Sequence, residues 1–222
     1  MFSYFGSKSK LAKLYAEPTY DSIIEPFAGS ARYSLLYWEK DIQLYDINTQ
    51  VIAVWHYLQQ ASVNDILQLP ILKVGDHIDD FDLSDAEKWL IGFELCRGKA
   101  VPRKVVSKFS DWESARTRIA NNLHKIKHWH ISLGDYADIP NQKATWFIDP
   151  PYILDDATGM NYVHSHKTID YNFLAEWIKE RQGQVITAAG TNDFWLPFET
   201  LREVKNGHKL GLEKVYIQEN NY

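Results

Sequence analysis

The segment from Asp149 to Tyr152 places a carboxylate, two rigid residues and an aromatic ring directly after the apolar run "TWFI". An aromatic amine is a poor nucleophile because its lone pair is delocalised into the ring. A carboxylate and a backbone carbonyl that accept its two N–H bonds would favour a pyramidal nitrogen able to attack. Asp149 supplies the carboxylate, and Pro150 and Pro151 supply a stiff backbone with a carbonyl and no competing N–H. With Tyr152 available to stack on a planar ring, the segment predicts a site that activates a planar amine rather than a simple proline turn.

A glycine turn and two further acids follow other predicted strands. Gly29 opens the turn after the strand that ends at Glu25–Pro26, and glycine lets the backbone approach a ligand closely. Asp46 ends the next strand, at roughly the 20-residue spacing at which doubly wound folds hold a ribose hydroxyl. Asp135 follows a later strand and could accept a bond from the exocyclic amine of an adenine. Each residue alone also fits a tight turn or a cap, but Gly29 and Asp46 together favour a nucleoside ligand.

Alternating strands and helices are predicted to position these residues. The strand in "DSIIEPFAGS" leads to a helix in "ARYSLLYWEK", and the strand "IQLYDIN" leads to a helix in "TQVIAVWHYLQQ". The alternation resumes with "HWHISLGDY", the strand over 144–149, a helix in "YNFLAEWIKERQ", the strand "QVITAAG" and a closing pair in "FETLREVK" and "EKVYIQE". This order predicts an α/β fold with a parallel sheet and right-handed crossovers.

The alternation is interrupted over residues 62–127. An acidic cluster, "GDHIDDFDLSD", precedes a predicted helix with Ser84 as N-cap and Glu87 completing a capping box. Ser110 and Glu113 repeat this signal before a second helix. Between the two helices lies a stretch without acids, whose basic residues are Arg97, Lys99, Arg103, Lys104 and Lys108.

The overall composition narrows the class of protein. The 222 residues are 45% hydrophobic and 24% charged, which is typical of a globular protein. A net charge of −5 argues against a nucleic-acid coat, although it allows a local basic face. The single cysteine, Cys96, excludes an internal disulfide and a cysteine-based zinc cluster. Because the sequence has no membrane-spanning apolar run and no signal-peptide layout, we expect an intracellular, cytoplasmic protein without a membrane partner.

Three histidines could suggest a metal site. His124, His128 and His130 cluster around a predicted helix end, but no cysteine or acid completes a ligand set nearby. Charge compensation at the helix end or simple exposure is the favoured interpretation, so no metal is expected. After the amine-activating segment, "YVHSHKTIDYNF" predicts a loop in which Tyr162 and His166 could touch a substrate.

Five motifs in a fixed order resemble those of the Dam-type DNA adenine N6-methyltransferases. "YFGSKSKLA" resembles the family's opening W-x-G-x-K segment, with Tyr4 where tryptophan is usual. "EPFAGSA" resembles the cofactor loop E-P-F-x-G-x-G, with Ala31 at the last glycine. "LYDIN" resembles the D-I-N motif, "GDY" the acidic motif before the catalytic strand, and "DPPY" the catalytic tetrad. The resemblance covers most of the chain.

The resemblance implies a Rossmann-like, S-adenosylmethionine-dependent methyltransferase sheet with helices on both faces and a small, mostly helical insert. S-adenosylmethionine would lie over the loop Phe27–Gly29, with Asp46 on its ribose hydroxyls and Asp135 on its adenine. Tyr4 and Lys8 would help to hold the cofactor or the target base. The residues implied to bind the cofactor are Tyr4, Lys8, Glu25, Phe27, Gly29, Asp46 and Asp135.

The resemblance also implies methyl transfer to N6 of a flipped adenine in DNA, with Asp149, Pro150, Pro151 and Tyr152 as catalytic residues. The transfer is a direct displacement that needs no metal, and the base must leave the duplex because its amine is otherwise paired and stacked.

The resemblance further implies a division into domains. Residues 1–61 and 128–222 would form the catalytic domain, and residues 62–127 a reduced DNA-recognition region. Its basic residues would contact phosphates, which position the protein without specifying sequence, so we expect a short or relaxed target. A solvated surface loop is the plainer interpretation of the basic stretch.

Two alternatives stay open. The same cofactor and tetrad could serve RNA or a protein amide, because related motifs act on several planar amines. A degenerate, non-catalytic module that binds cofactor or DNA would fit Ala31 and the short insert, although the intact tetrad argues against it. A bacterial or phage-like source is expected from the resemblance. Restriction–modification with a cognate nuclease is one possible role, beside regulation and self-modification of a mobile element.

Overall fold

The computed structural model describes residues 1–4, 8, 11–95, 101–153, 168–206 and 209–220. In these residues, one sheet contains the strands β1 (Ser22–Glu25), β2 (Asp41–Asp46), β3 (His130–Leu133), β4 (Ala144–Ile148), β5 (Gly183–Ala189), β6 (Glu199–Asn206) and β7 (Lys209–Asn220). The α-helices are α1 (Thr49–Gln60), α2 (Val63–Gln68), α3 (Asp85–Leu95), α4 (Trp112–Ala120) and α5 (Tyr171–Lys179). Short 3-10 turns lie at Ala12–Leu14, Ser34–Leu36, Ile78–Asp80, Leu123–Ile126 and Tyr136–Asp138.

The strand order is β3-β2-β1-β4-β5-β7-β6. The first five strands are parallel, whereas β7 runs antiparallel between β5 and β6. The chain builds outward from β1 to β3, returns to the centre and builds outward again from β4. The connections that follow β1 and β4 therefore leave in opposite directions, and such a point is where open α/β sheets bind ligands. The predicted α/β, Rossmann-like sheet is confirmed.

Alternate residues of the central strands face two separate cores, because successive side chains in a strand point to opposite faces. Ile23 and Phe147 face the core that also contains the buried side of α1. Ile24 and Trp146 face the core formed with α5. Helices therefore cover both faces of the sheet, as predicted, and the cleft-forming loops are mounted on a rigid, fully buried β4.

The segment after the first glycine turn differs from the prediction. The helix predicted in "ARYSLLYWEK" is wrong, because only the single 3-10 turn at Ser34–Leu36 forms there. Ala31 enters the segment with a φ of 45°, outside the helical region. Tyr33 then lies flat on Phe147, with 4.3 Å between the ring centroids. Tertiary packing under the sheet overrides the helical pattern here.

The region 62–127 contains α2, α3 and α4. The capping box predicted at Ser84 and Glu87 is confirmed, with the Ser84 N–H donating to Glu87 Oε2 at 2.8 Å and the Glu87 N–H to Ser84 Oγ at 3.4 Å. The Ser110 cap is wrong, because Asp111 occupies the N-cap of α4. The indole of the buried Trp112 donates to the carbonyl of Pro70 at 2.9 Å, which fixes where that helix starts. Helix α3 shares the core of α1, and the proposed domain boundaries stay a prediction.

Candidate active site

A cleft of about 790 Å³ opens at the carboxyl ends of β1, β2 and β4. It brings together every residue predicted to bind the cofactor or to act in catalysis, although these residues come from five separate sequence motifs. They are Tyr4, Lys8, Glu25, Phe27, Gly29, Asp46, Asp135, Asp149, Pro150, Pro151 and Tyr152. Their individual roles stay predictions, and their convergence in one cleft is a property of the fold.

One end of the cleft is built around the Gly29 turn. Gly29 has a φ of 44°, and a Cβ atom there would lie 3.1 Å from Cδ1 of Tyr4, so both the conformation and the space favour glycine. Its N–H donates to Asp46 Oδ2 at 2.9 Å, and the Asn48 N–H donates to Asp46 Oδ1 at 2.8 Å. Both carboxylate oxygens of Asp46 are therefore anchored by backbone N–H groups of the turn. The indole of Trp55 donates to the Gly29 carbonyl at 2.9 Å and completes the turn.

Ala31 adopts a φ of 45°, in the left-handed region that favours glycine. The resembling family uses glycine at this position, and the backbone geometry gives a physical reason for that preference. Ala31 is buried and its N–H donates to the Ala28 carbonyl at 2.7 Å, so the turn forms with alanine at a cost of roughly 1 kcal/mol.

An aromatic shelf lies beside this turn. The rings of Phe27 and Tyr136 are 5.3 Å apart with 32° between their planes. Asp135 caps the short turn that carries Tyr136, because its Oδ1 accepts the Ala137 N–H at 2.9 Å. Burial raises the pKa of Tyr136 to about 12, so its hydroxyl is protonated at neutral pH. Sequence reasoning missed Tyr136, although it directly follows the predicted Asp135.

Tyr4 is fixed against the turn from the side of the helical region. The Asn48 amide donates to its hydroxyl at 3.4 Å, and its ring lies edge-on to Phe93 at 5.4 Å. The preceding residue, Ser3, donates its N–H to the Glu94 carboxylate at 2.7 Å. Tyr4 is therefore held between the turn and α3.

The other end of the cleft is a buried charge cluster. The Lys8 ammonium lies 3.0 Å from Asp149 Oδ1 and 3.6 Å from Glu213 Oε1. It also lies 4.3 Å from the centroid of the Tyr152 ring. The Tyr152 hydroxyl donates to Glu213 Oε1 at 2.8 Å, and the Tyr15 hydroxyl donates to the same oxygen. We refer to Lys8, Tyr15, Asp149, Tyr152 and Glu213 as the acid cluster.

Burial sets the ionisation within the acid cluster. It raises the pKa of Glu213, while the Lys8 ammonium opposes that shift. Burial and the Asp149 carboxylate raise the pKa of Tyr152 well above its ordinary value, so this hydroxyl is a donor at neutral pH. Sequence reasoning missed Glu213 and Tyr15. The one indication of Glu213 in the sequence is that a charged residue occupies a position of β7 whose side chain is buried in the sheet.

The loop after β4 is braced on two sides. The Tyr171 hydroxyl donates to the Pro151 carbonyl at 2.5 Å. Asp193 accepts the Ile153 N–H at 3.2 Å and the Gly190 N–H at 2.7 Å, which ties the loop to the β5–β6 connection. A Cβ atom at Gly190 would lie only 2.6 Å from Cδ2 of Tyr152. The predicted catalytic segment is therefore held in a fixed conformation.

Glu25 is buried between the two ends of the cleft. Its Oε1 accepts the Ser34 N–H at 2.8 Å, so it orients the segment after the glycine turn. Burial raises its pKa to about 8, which the hydrogen bond from the Ser34 N–H only partly offsets. Glu25 therefore carries a proton at neutral pH and adds little negative charge to the cleft.

The predicted DNA-binding residues lie away from the cleft wherever they are described. Arg103, Lys104 and Lys108 are exposed, and Lys104 pairs with Asp79 at 2.7 Å. The Lys108 ammonium lies 5.1 Å from the ring centroid of Phe109, which is 66% exposed.

Four further candidates lie outside the described residues. They are Arg97 and Lys99 on the insert, and Tyr162 and His166 after the tetrad.

The described histidines that the sequence placed around a helix end each lie beside an aromatic ring or an acid. His124 packs edge-on against Trp38 at 5.4 Å, and His130 lies 3.8 Å from Asp41 at the far edge of the sheet. In the part of the chain that the structure describes, no group of three or more histidine, cysteine or acidic side chains could hold a metal ion.

No helix among the described residues is both long and apolar enough to span a bilayer.

No protein-family model and no curated protein matches the chain. Among solved structures it is similar to a conserved hypothetical protein of Streptococcus pyogenes, with 12% identity over 89% of this chain and 86% of that chain and a TM-score of 0.39. It is also similar to an rRNA methyltransferase of Streptomyces viridochromogenes, with 10% identity over 93% and 80% of the two chains and a TM-score of 0.40. The strand order and the cleft define the class, an α/β protein with a ligand-sized cleft at the carboxyl ends of its parallel strands.

Proposed function

We propose that the protein is an S-adenosylmethionine-dependent methyltransferase that methylates N6 of adenine in DNA. The observation that carries the proposal is the convergence, in one cleft, of the Gly29–Asp46 turn with the braced segment Asp149–Tyr152. The first feature suits a nucleoside, and the second suits a planar amine. The motif order and the opening segment with Tyr4 and Lys8 favour DNA as the substrate.

The cleft residues fit S-adenosylmethionine. The missing side chain at Gly29 leaves room at a turn where a Cβ atom would meet Tyr4. Asp46 is anchored by two backbone N–H groups and would accept ribose hydroxyls. The shelf of Phe27 and Tyr136 offers aromatic ring surface to an adenine. When bound, this cofactor would supply an electrophilic methyl group.

The acid cluster would act on the target amine. Lys8 pairs with Oδ1 of Asp149, so the carboxylate is held in place while it accepts one N–H of the amine. The carbonyl of Pro150 would accept the other N–H from a backbone that cannot swing away. Tyr152 is fixed by Glu213 and by the close approach of Gly190, so it would stack on the base without rearrangement. Such preorganised acceptors would favour the attacking geometry of the nitrogen.

The DNA would meet the protein through extrusion of one base and contacts to the backbone. Adenine N6 is paired and stacked in a duplex, so the base would have to enter the cleft by flipping. The exposed Lys108 and its neighbour Phe109 would contact the phosphate backbone and adjacent groups. Phosphate contacts of this kind make binding strongly dependent on salt and add no sequence information.

The experiment incubates purified protein with S-adenosylmethionine and unmethylated duplex DNA at low salt, followed by digestion and mass spectrometry for N6-methyladenine. Asp149→Ala is the test variant. Asp21→Ala is its matched control, because Asp21 also pairs with a lysine, at 3.2 Å, but lies exposed before β1. We expect product from the wild type and from Asp21→Ala and none from Asp149→Ala, with cofactor binding retained by calorimetry.

The other outcomes separate the alternatives. Product from RNA but not from DNA would move the proposal to an RNA methyltransferase. Cofactor binding without transfer to DNA, RNA or a peptide amide would indicate a binding module. Product from Asp149→Ala at the wild-type rate would refute the role assigned to the tetrad.

A further inference from the structure

Glu213 is a buried acid in the cleft whose part in the proposed amine activation is limited to holding the Tyr152 hydroxyl. It lies on β7, is 4% exposed and lines the cleft. The hydroxyls of Tyr15 and Tyr152 donate to its Oε1, and the Lys8 ammonium lies 3.6 Å from the same oxygen as an ion-pair partner. A glutamate that merely fills space in a core would be costly, since buried acids need partners and lose hydration.

Glu213 and Asp149 share one cation. Lys8 lies between them, 3.0 Å from the Asp149 carboxylate and 3.6 Å from that of Glu213. With both acids ionised, the group carries one more negative than positive charge. A further proton can therefore enter it without creating net positive charge beside a sulfonium.

The groups that face Glu213 come from several elements. Lys8 and Tyr15 approach from the segment before β1, and Asp149 and Tyr152 from the loop after β4.

The other cations near Glu213 have other partners or lie in solvent. On the same strand, Lys214 donates to the carbonyls of Thr191 and Asp193, each at 2.9 Å. The register partner of Glu213 on β6, Arg202, is exposed. Lys8 is thus the cation closest to the Glu213 carboxylate among the contacts that the structure describes.

The chemistry requires a proton acceptor. As the amine nitrogen bonds to the methyl carbon, the bond from that carbon to the sulfonium sulfur would break, and its electron pair would stay on sulfur as a neutral thioether. The positive charge would pass to the nitrogen, which then carries one proton too many. That proton must leave before the neutral methylamine is restored. Asp149 is the nearest base in the proposed binding mode, but it must be returned to its ionised form for the next turnover.

We propose that Glu213 is the final acceptor of this proton, which reaches it through Asp149 and Lys8. The nitrogen gives its proton to Asp149, Lys8 gives a proton to Glu213, and Asp149 passes its new proton to Lys8. Asp149 and Lys8 end as they began, and Glu213 gains one proton that it releases to water once the cleft opens to solvent. This inference rests on the proposed function, because it assigns a route to the proton of that reaction.

The first test is the pH dependence of a single methyl-transfer turnover in wild type and Glu213→Gln. In the wild type, the rate should rise with pH as Glu213 loses its proton and becomes able to accept one. Glu213→Gln should lack this rise and should be slower by about a hundredfold at high pH, as is typical when a proton-transfer group is lost. Glu219→Gln on the exposed face of β7 is the matched control and should retain the rise.

A purely structural role for Glu213 gives a different result. Loss of packing would slow Glu213→Gln by the same factor at every pH and leave the profile intact. That outcome would overturn the proposal, as would a wild-type rate in the variant. Tyr15→Phe adds a check, because removing one donor to Oε1 should shift the rise to higher pH while the acceptor remains.

The second test needs no turnover. The Glu213 carboxyl is followed by infrared or carbon-13 titration in the free protein and in Lys8→Met. The carboxyl should titrate above the ordinary glutamate range, and loss of the Lys8 ammonium should move it higher still. An unchanged titration would overturn the shared-lysine route whatever the substrate is. Absence of N6-methyladenine from the wild type would instead refute the proposed function, and with it the transfer of a proton from adenine N6. The titration would still show whether Lys8 and Glu213 are coupled.

Discussion

Two lysine–aspartate pairs, one in the cleft and one in the helical region, show how little distance alone says about an ion pair. In the cleft, Lys8 and Asp149 are 3.0 Å apart, and their side chains are 7% and 21% exposed. In the helical region, Lys104 and Asp79 are closer, at 2.7 Å, but their side chains are 65% and 38% exposed. The shorter pair is the more weakly coupled, because water and salt screen it.

The difference reflects what each region can do with charge. The cleft holds Lys8, Asp149 and Glu213 away from solvent, so removing one partner leaves an uncompensated charge. In the helical region, the Lys104 hydrogen bond lowers the pKa of Asp79, but both groups stay hydrated and free to exchange partners. The buried charges of the cleft are suited to proton transfer, and the hydrated charges of the helical region are suited to contact with a polyanion.

The strongest test of this comparison removes the lysine from each pair. Lys8→Met should destabilise the protein by about 3 to 5 kcal/mol, the range seen when one partner of a buried pair is lost. Lys104→Met should leave the unfolding midpoint unchanged within error, because its partner is solvated. Denaturant unfolding of the two variants beside the wild type measures both effects. Equal losses would show that burial does not distinguish the pairs.

Glu25 extends the comparison to a buried acid that forms no ion pair with any cation in the described part of the chain. Its pKa is raised from 4.5 to about 8, so the folded state keeps a proton that the unfolded state releases above pH 4.5. The stability contributed by this proton is therefore complete below pH 4.5 and is lost as pH rises toward 8. Glu25→Gln keeps an acceptor for the Ser34 N–H and cannot ionise. At about pH 9 it should be more stable than the wild type, by up to about 5 kcal/mol.

Unfolding curves from about pH 4 to 9 measure this effect. The wild type should lose stability relative to Glu25→Gln across the window, and the two curves should run parallel outside it. A variant that tracks the wild type at every pH would mean that Glu25 is ionised in the folded state.

Gly190 tests whether the cleft depends on shape as strongly as on charge. In Gly190→Ala the new Cβ atom would lie 2.6 Å from Tyr152, whose hydroxyl is held by Glu213. We expect methyl transfer to fall about a hundredfold, because small displacements of a positioning group have effects of that size. The matched control is Gly134→Ala, whose Cβ atom would lie at an ordinary 3.8 Å from Tyr45. A Gly190→Ala enzyme with normal turnover would show that the Tyr152 ring can move freely.

The smallest effects are expected on the helical region. Lys108→Ala should weaken binding to duplex DNA a few-fold and reduce the salt dependence by about one phosphate contact. Asp79→Asn should strengthen binding slightly, because it releases the Lys104 ammonium. Fluorescence anisotropy over a salt series measures both variants. Unchanged binding of Lys108→Ala at low salt would place the DNA elsewhere on the protein.

Sequence patterns predicted the parts of this molecule that local chemistry determines. The Gly29 turn, Asp46 and the segment Asp149–Tyr152 each follow a strand directly, so a short stretch carries the signal. The carboxyl ends of parallel strands meet at one edge, which explains why those residues converge. The 3-10 turn at Ser34–Leu36 was not predictable, because the stacking of Tyr33 beneath the sheet decides it.

Glu213 and Tyr15 were not predictable for another reason. Neither belongs to a motif, and the two residues are 198 positions apart in the chain. Their contact depends on β7 entering the sheet between β5 and β6, which is a feature of topology and not of any local pattern.

That same contact has a consequence for how the molecule folds. Local contacts close quickly, whereas a contact over 198 residues must wait until the intervening chain is organised. The turn around Gly29 and Asp46 spans only 17 residues and belongs to the first strands of the sheet. During refolding, affinity for a nucleoside should therefore return before the acid cluster is assembled, and the last strand pairing sets the time at which the protein becomes active.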